Sequence, residues 1–315
     1  MHKNSYKLSA PLINILGNGN KNRDIVFIFL YWLSKITKSL NEEQEKTALG
    51  ALTLMSWFSD NPSKIIPALW KRINEKSEDE LLNFWENEFK DIAFNKQAKE
   101  LHIYPAMNME RLKKFIDENF NENNFKNFYL KNDMSMLYKM AGDRDGADKI
   151  FWWQTINKII RSNMSTPYLA YYFQRHYMND VFSEYDPSLP TKQNDIQKPW
   201  DIDHIIPQNK IGRNSNCLYK FWIHSVGNYC AMDYASNRSK SDNNLTKEDL
   251  KIYEKLQAEN NEEKIMEYFL EYLDKKECNT YEIKDHPFII PIVERLLLMY
   301  NNWYSSLNIS KLTPI

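Results

Sequence analysis

Glycine, cysteine and long hydrophobic segments are scarce in this chain of 315 residues. It contains 7 glycines and 3 cysteines, and Cys217, Cys230 and Cys278 form no Cys-x-x-Cys pair. So few glycines disfavour folds built on glycine-rich loops and favour helices. The cysteines match no structural zinc motif, so we expect no zinc, and their odd number fits a reducing compartment. The longest apolar run, residues 25–33, is about half the length that spans a bilayer, so it predicts a buried helix and no membrane partner.

Charge of one sign is also lacking, because 41 Lys and Arg residues balance 42 Asp and Glu residues to a net charge of −1. No global positive field therefore draws the protein to nucleic acid, and any DNA binding must come from a local basic patch. The first residues show no apolar core followed by a small-residue cleavage site, which predicts a cytoplasmic protein.

Helical patterns fill residues 1 to about 185. Asn41 with Gln44, and Ser77 with Glu80, have the spacing of capping boxes before apolar runs. At helical spacing the many tryptophans and tyrosines of this half are expected in the core rather than on a base-stacking surface. A polar, asparagine-rich stretch at residues 119–133 predicts a loop or short irregular helix.

Three prolines in a polar segment, Pro187, Pro190 and Pro199, indicate a connection between domains. We therefore expect a helical domain over residues 1–190, a small α+β unit over 191–250 and C-terminal helices over 251–315 that pack on that unit. The predicted fold class is mainly α with a small α+β insert.

The pattern changes after the prolines. "WDIDHIIP" alternates like a strand, "CLYKFWIHSV" suggests a short helix, and "YCAMD" suggests a second strand. Asp233 then has the position of an N-cap for a helix from Tyr234. The expected local order is strand, long loop, strand, helix.

Asp203 and His204 are neighbours in the first of these strands, so their side chains point to opposite faces and can serve separate tasks. Histidine is a natural general base because its ordinary pKa is close to neutrality. A carboxylate suits a hard cation such as Mg²⁺. Asn237 and Lys240 share one face of the following helix and offer an amide oxygen and a charge suited to phosphate. Asn228 is placed to hold the histidine loop through its backbone.

This ordered set, in "DIDHIIPQ" and "GNYCAMDYASNRSKSDN", resembles the HNH motif of the ββα-metal nucleases. Over roughly residues 200–244 it is similar to the HNH domain of the RNA-guided CRISPR effector nucleases. A longer stretch, "YLAYYFQRHYMNDVFSEYDPSLP...KPWDIDHIIPQ", resembles the C-terminal half of the GmrSD-like, modification-dependent restriction endonucleases.

The resemblance implies cleavage of DNA with Mg²⁺, or with Mn²⁺ or another divalent cation in its place, and a role in defence against phage. It also implies the roles of the residues: His204 as general base, Asp203 and Asn237 as metal ligands, and Asn228 as loop anchor. Members of that group usually carry an Asp-Gly-Gln-Gln-Arg-type motif for nucleotide hydrolysis, and this chain has no such string. An NTP-hydrolysing partner domain or chain, a longer protein and a reduced relative are the alternatives that this leaves open.

Basic residues near the motif are candidate contacts to DNA phosphates. They are Lys240, Arg238, His224, Lys210, Arg213 and Lys247. The alternative is local packing or hydrogen bonding for His224, and ordinary surface charge for Arg213, Lys210, Arg238 and Lys247.

Three functions remain: an active HNH endonuclease or nickase, a catalytically silent HNH-like module that binds nucleic acid or a partner protein, and an unrelated helical interaction protein. The intact motif favours the first. Cutting both strands with one site per chain would require a dimer or sequential nicking.

Overall fold

The computed structural model describes residues 23–58, 65–92, 106–119, 159–160, 167–183, 199–208, 217–240, 245, 253 and 289–313. Most of these residues are helical, and a two-stranded antiparallel sheet accompanies the helices. The elements before the sheet are α1 (Arg23–Ser34), α2 (Glu42–Trp57), α3 (Ile65–Glu75), α4 (Glu78–Leu82), α5 (Phe84–Ile92), α6 (Met109–Asn119), α7 (Tyr168–Phe173) and α8 (Arg175–Val181). The later elements are β1 (Trp200–His204), α9 (Cys217–Ile223), β2 (Tyr229–Asp233), α10 (Tyr234–Lys240), α11 (Ile289–Ser306) and α12 (Ile309–Leu312).

Capping boxes begin two of the N-terminal helices, as the sequence predicts. The Asn41 side chain accepts a hydrogen bond from the Gln44 backbone at 2.9 Å, and the Gln44 side chain accepts one from the Asn41 backbone at 3.0 Å. The Glu80 carboxylate accepts hydrogen bonds from the backbone and hydroxyl of Ser77. These bonds satisfy backbone donors that the first turn of a helix would otherwise leave without partners.

Residues 78–92 form two short helices. The chain leaves the helical conformation at Asn83, whose ψ is 19°, and α5 then begins at Phe84. In this break Oδ1 of Asn83 accepts a 3.4 Å hydrogen bond from the Gln44 side chain. The break lets Phe84, Trp85 and Phe89 all enter the core.

Helix α1 is not buried on all sides, contrary to the expectation for residues 25–33. Ile25, Ile28 and Trp32 are buried, whereas Phe27 is 63% exposed and Leu30 is 52% exposed. The apolar residues of this helix therefore divide between a core face and a solvent face. None of the described helices is long and apolar enough to cross a membrane.

The aromatic side chains belong mainly to the core. In the described part of residues 1–185, Trp32, Trp57 and Trp85 are buried, while Trp70 is 48% exposed and stacks on Tyr31. Among the later described residues, Trp222 and Trp303 are also buried. The predicted core role is thus confirmed for most described tryptophans. The stretch at 120–133 and the proposed boundary at 184–198 lie outside the described residues.

Helix α11 packs against both the N-terminal helices and the sheet region. Its Trp303 stacks on Phe58 with ring centroids 4.8 Å apart and donates a 2.9 Å hydrogen bond to Thr53. Nearer the start of α11, the guanidinium of Arg295 donates to the carbonyls of Gly227 and Tyr229 at 2.7 and 3.0 Å. A single helix therefore lies in contact with both parts of the chain.

Candidate functional site

Strands β1 and β2 pair in antiparallel register, with Asp203 opposite Cys230 and His204 opposite Tyr229. The pairing continues past the strands, because the backbone of Ile205 donates a 2.8 Å hydrogen bond to the carbonyl of Asn228. Helix α10 follows β2 directly, and Asp233 caps it by accepting a hydrogen bond from the Ser236 backbone at 3.0 Å. The predicted order of strand, loop, strand and helix is present in these residues.

Asn228 joins three segments of this unit through one buried amide. Its side chain is fully buried and donates to the carbonyls of Ile206 and Ile223 at 3.0 and 2.9 Å, and it accepts from the Ile206 backbone at 2.9 Å. The loop that follows His204 is therefore held to the end of α9. These are backbone hydrogen bonds of the kind that the motif leads us to expect from this asparagine.

Two acids share one face of β1, because alternate residues of a strand point the same way. The Asp201 carboxylate accepts a 2.9 Å hydrogen bond from the Asn237 amide nitrogen. The Asp203 carboxylate forms an ion pair with Lys240, whose Nζ lies 2.5 Å from Oδ2. The other oxygen of Asp203 accepts from the His204 backbone at 2.7 Å. Helix α10 thus lies against the acidic face of the strand.

The two contacts can form together because of element geometry. Three residues of helix rise about 4.5 Å, and two residues of strand about 6.6 Å. These two spans are similar enough that the side chain of Asn237 reaches Asp201 while the side chain of Lys240 reaches Asp203. The structure thus places the Asn237 amide nitrogen on Asp201, and the role of Asn237 as a metal ligand together with Asp203 stays a prediction.

Lys240, a candidate phosphate contact, lies inside this unit, and its contact with phosphate stays a prediction. Its side chain is only 5% exposed, and the ammonium donates to the His204 carbonyl at 2.8 Å as well as to Asp203. A buried ammonium is costly without partners, so it is held by the oxygens that surround it. In this structure Lys240 lies inside the site and links the two neighbouring residues of the motif.

His204 lies on the opposite face of β1 and is buried. Its Nε2 is 3.3 Å from Nδ1 of His224, and its ring lies edge-on to the ring of Tyr229. Burial lowers the pKa of His204 to about 4, with a further lowering from His224 and Lys240 and an opposing effect of Asp203. The imidazole is therefore neutral near pH 7, which is the state that a general base requires.

The other candidate phosphate contacts have separate locations. Arg238 is exposed on α10, with its guanidinium 6.0 Å from the centre of the Tyr234 ring. His224 lies beside His204. Lys210, Arg213 and Lys247 lie outside the described residues. A phosphate contact by Arg238 or His224 stays a prediction.

Several residues outside the sequence motif also shape this region. Gln174, between α7 and α8, accepts from the Ala231 backbone at 2.7 Å and donates to its carbonyl at 3.1 Å. Arg295 of α11 holds the carbonyls on both sides of Asn228. Gln174 and Arg295 each lie more than fifty positions in sequence from the backbone groups that they bind, and no local sequence pattern marks them. Asp201 was visible in the sequence, because it precedes Asp203 by two residues and so shares its strand face.

The donors at this face fit a hard divalent cation. Asp203, Asp201 and Asn237 supply carboxylate and amide oxygens, and Mg²⁺ accepts such ligands while it retains several waters. The Asn237 amide binds Asp201 through its nitrogen, and its carbonyl oxygen makes no hydrogen bond with the described residues. Within the described part of the chain, no group of three or more His, Cys, Asp or Glu side chains could hold a metal. The fit therefore depends on the amide oxygen in addition to the acids.

Comparison with known proteins adds no relative to this picture, since no family model, curated protein or solved structure matches the chain.

Proposed function

We propose that the protein is a metal-dependent HNH endonuclease that hydrolyses phosphodiester bonds of DNA. The main support is the local arrangement of residues 200–208 and 217–240, where two strands, the turn before the second strand and a helix carry Asp203, His204, Asn228 and Asn237 in the order of the motif. Asn228 holds the loop after the histidine, and α10 lies against the acids of β1. The sequence resemblance and the placement of these side chains favour the same chemistry.

The residues divide the work by their positions. His204 is the neutral base that takes a proton from the attacking water. Asp203, together with Asn237 and the neighbouring Asp201, supplies the oxygens that would hold Mg²⁺. When bound, the cation would stabilise the negative charge that develops on the phosphate. Lys240 keeps the Asp203 carboxylate in place through an ion pair, and its ammonium adds positive charge beside that carboxylate.

The biological role that we propose is restriction of foreign DNA, including base-modified DNA, in defence against phage. This part of the proposal rests on the resemblance to the GmrSD-like endonucleases. A partner domain or chain that hydrolyses NTP would supply the nucleotide-dependent step of that group. Cleavage of plain and modified DNA, with and without nucleotide, would test this role.

Incubation of the purified protein with supercoiled plasmid and Mg²⁺ tests the nuclease activity. We expect nicked or linear DNA, and none when EDTA is present. The substitution His204→Ala should lower the rate about 100- to 10,000-fold because the water loses its base. His176→Ala, on α8, is a matched control that should cleave at the wild-type rate.

DNA binding separates the proposal from its main alternative. A protein that binds DNA with normal folding, yet never cuts it with Mg²⁺ or Mn²⁺, would be the catalytically silent module instead. A His204→Ala protein that cuts as fast as the wild type would contradict the assignment of the base.

A further inference from the structure

The imidazole of His204 uses its two nitrogens unequally. Nε2 lies 3.3 Å from Nδ1 of His224, whereas Nδ1 of His204 makes no hydrogen bond with the described residues. A neutral imidazole carries its proton on one nitrogen and a lone pair on the other. The partner of Nε2 therefore decides whether Nδ1 has a lone pair.

We propose that His224 is a positioning residue that fixes the tautomer of His204, and this inference rests on the proposed nuclease function. Nε2–H of His204 donates to the lone pair on Nδ1 of His224. This leaves the lone pair of His204 on Nδ1, where it can accept a proton. In many active sites a further side chain orients the base that activates the nucleophile, and His224 has this role for His204.

The proton balance of the step follows from this assignment. An O–H bond of water breaks, and the proton goes to Nδ1 of His204 while Nε2 keeps its own proton and its bond to His224. The water oxygen forms a bond to phosphorus. The phosphorus–oxygen bond to the leaving group then breaks, and the leaving oxygen keeps the electron pair and takes a proton from solvent.

The two histidines are held in register by the same asparagine. Asn228 donates to the carbonyl of Ile206, two residues after His204, and to the carbonyl of Ile223, directly before His224. The Tyr229 hydroxyl donates a 3.0 Å hydrogen bond to the carbonyl of His224. Both histidine-bearing segments are thus fixed to one strand end, so the contact between the rings is built into the fold.

Three substitutions of His224 separate its acceptor atom from its bulk. In His224→Asn, Oδ1 is one bond from Cγ, as Nδ1 is in histidine, so the acceptor is kept. In His224→Gln the acceptor lies one bond further out, and in His224→Leu it is absent. We expect His224→Gln and His224→Leu to lower kcat about 10- to 100-fold with little change in KM, the range for residues that orient others, and His224→Asn to recover most of the rate.

Nitrogen-15 NMR of the histidine rings reads the tautomer without any need for activity. For the wild type we expect His204 to be protonated at Nε2 and unprotonated at Nδ1 at pH 7. The same state should persist in His224→Asn and give way to a mixture in His224→Gln and His224→Leu.

A wild-type His204 that carries its proton on Nδ1, or that is a mixture of tautomers, would overturn the inference. So would a wild-type kcat in His224→Leu. The wild-type spectrum decides the question even if a variant fails to fold. A wild type with the expected tautomer but without DNA cleavage would refute the nuclease proposal, and with it the catalytic use of the contact, while the tautomer assignment of His204 would stand.

Discussion

The Asn228 side chain holds the backbone segments that carry His204 and His224. Its fully buried amide satisfies one backbone N–H and two backbone carbonyls. A buried polar group that loses its partner costs the free energy of its desolvation. The geometry around His204 is therefore inseparable from the stability of this region.

We expect Asn228→Ala to lower the free energy of unfolding by about 3 kcal/mol or more, because three backbone groups lose their partner. Chemical denaturation followed by circular dichroism measures this change. Asn301→Ala, at an exposed position of α11, is the matched control and should change it by less than about 0.5 kcal/mol. Equal small effects of both substitutions would show that the buried amide is not structurally important.

The motif residues could be located from the sequence because their chemistry and order are local. Asp203, His204, Asn228 and Asn237 lie within one short stretch, and strand and helix periodicity sets their faces. The pairing of Asn237 with Asp201 depends instead on the position of α10 along β1, which tertiary packing determines. The inward position of Lys240 has the same origin, since the periodicity of a helix does not tell whether its lysine faces solvent or an acid.

Among the secondary-structure elements, β2 needs a partner on the edge that β1 does not cover. Gln174 supplies it, because its side-chain amide bonds to both the N–H and the carbonyl of Ala231, as a neighbouring strand would. An uncovered edge presents free backbone groups and is a liability for aggregation. This contact also ties the end of α7 to the sheet, so residues 167–183 pack on the proposed nuclease unit rather than apart from it.

Substitution of Gln174 by leucine should expose how much this edge contact contributes. The change leaves the N–H of Ala231 buried without a partner and leaves its carbonyl with only the weak thiol donor of Cys230 at 3.7 Å, so we expect a loss of about 2–4 kcal/mol in the free energy of unfolding. Hydrogen exchange of the Ala231 amide should become faster as well. Gln208→Leu, at an exposed position after β1, is the control. An unchanged exchange rate at Ala231 in Gln174→Leu would contradict this account of the edge.

Helix boundaries were predictable where the signal is a cap and not where it is packing. Asn41, Ser77 and Asp233 all begin helices at the positions that their side chains indicate. The break at Asn83 has no comparable signal, because leucine, aromatic and glutamate residues continue the helical pattern on both sides of it. The exposed face of α1 is another case, since an entirely apolar run cannot show which of its sides meets the core.

At the scale of the described molecule, α11 packs against both the N-terminal helices and the sheet region. In both places the backbones approach each other closely at a glycine. A Cβ on Gly50 would lie 2.3 Å from the carbonyl oxygen of Leu307, just after α11, and a Cβ on Gly227 would lie 2.2 Å from that of Ile292. Both glycines are needed because no side chain fits these distances. Among the described residues, α11 contacts residues before position 190 and residues between 191 and 250, and the division into domains at residues 190 and 250 stays a prediction.

We therefore expect Gly50→Ala and Gly227→Ala to lower the midpoint of one and the same unfolding transition. In an exposed helix, alanine in place of glycine stabilises by about 1 kcal/mol. At Gly50 the clash with a backbone oxygen outweighs that gain, because overpacking costs about 1–3 kcal/mol and α11 cannot move without disturbing Trp303. Scanning calorimetry of the full chain should show a single transition that falls by about 2–8 °C in each variant, with Ser239→Ala, at an exposed position of α10, unchanged. Two transitions, each sensitive to only one of the glycines, would mean that the helical region and the proposed nuclease unit unfold independently and that α11 does not couple them.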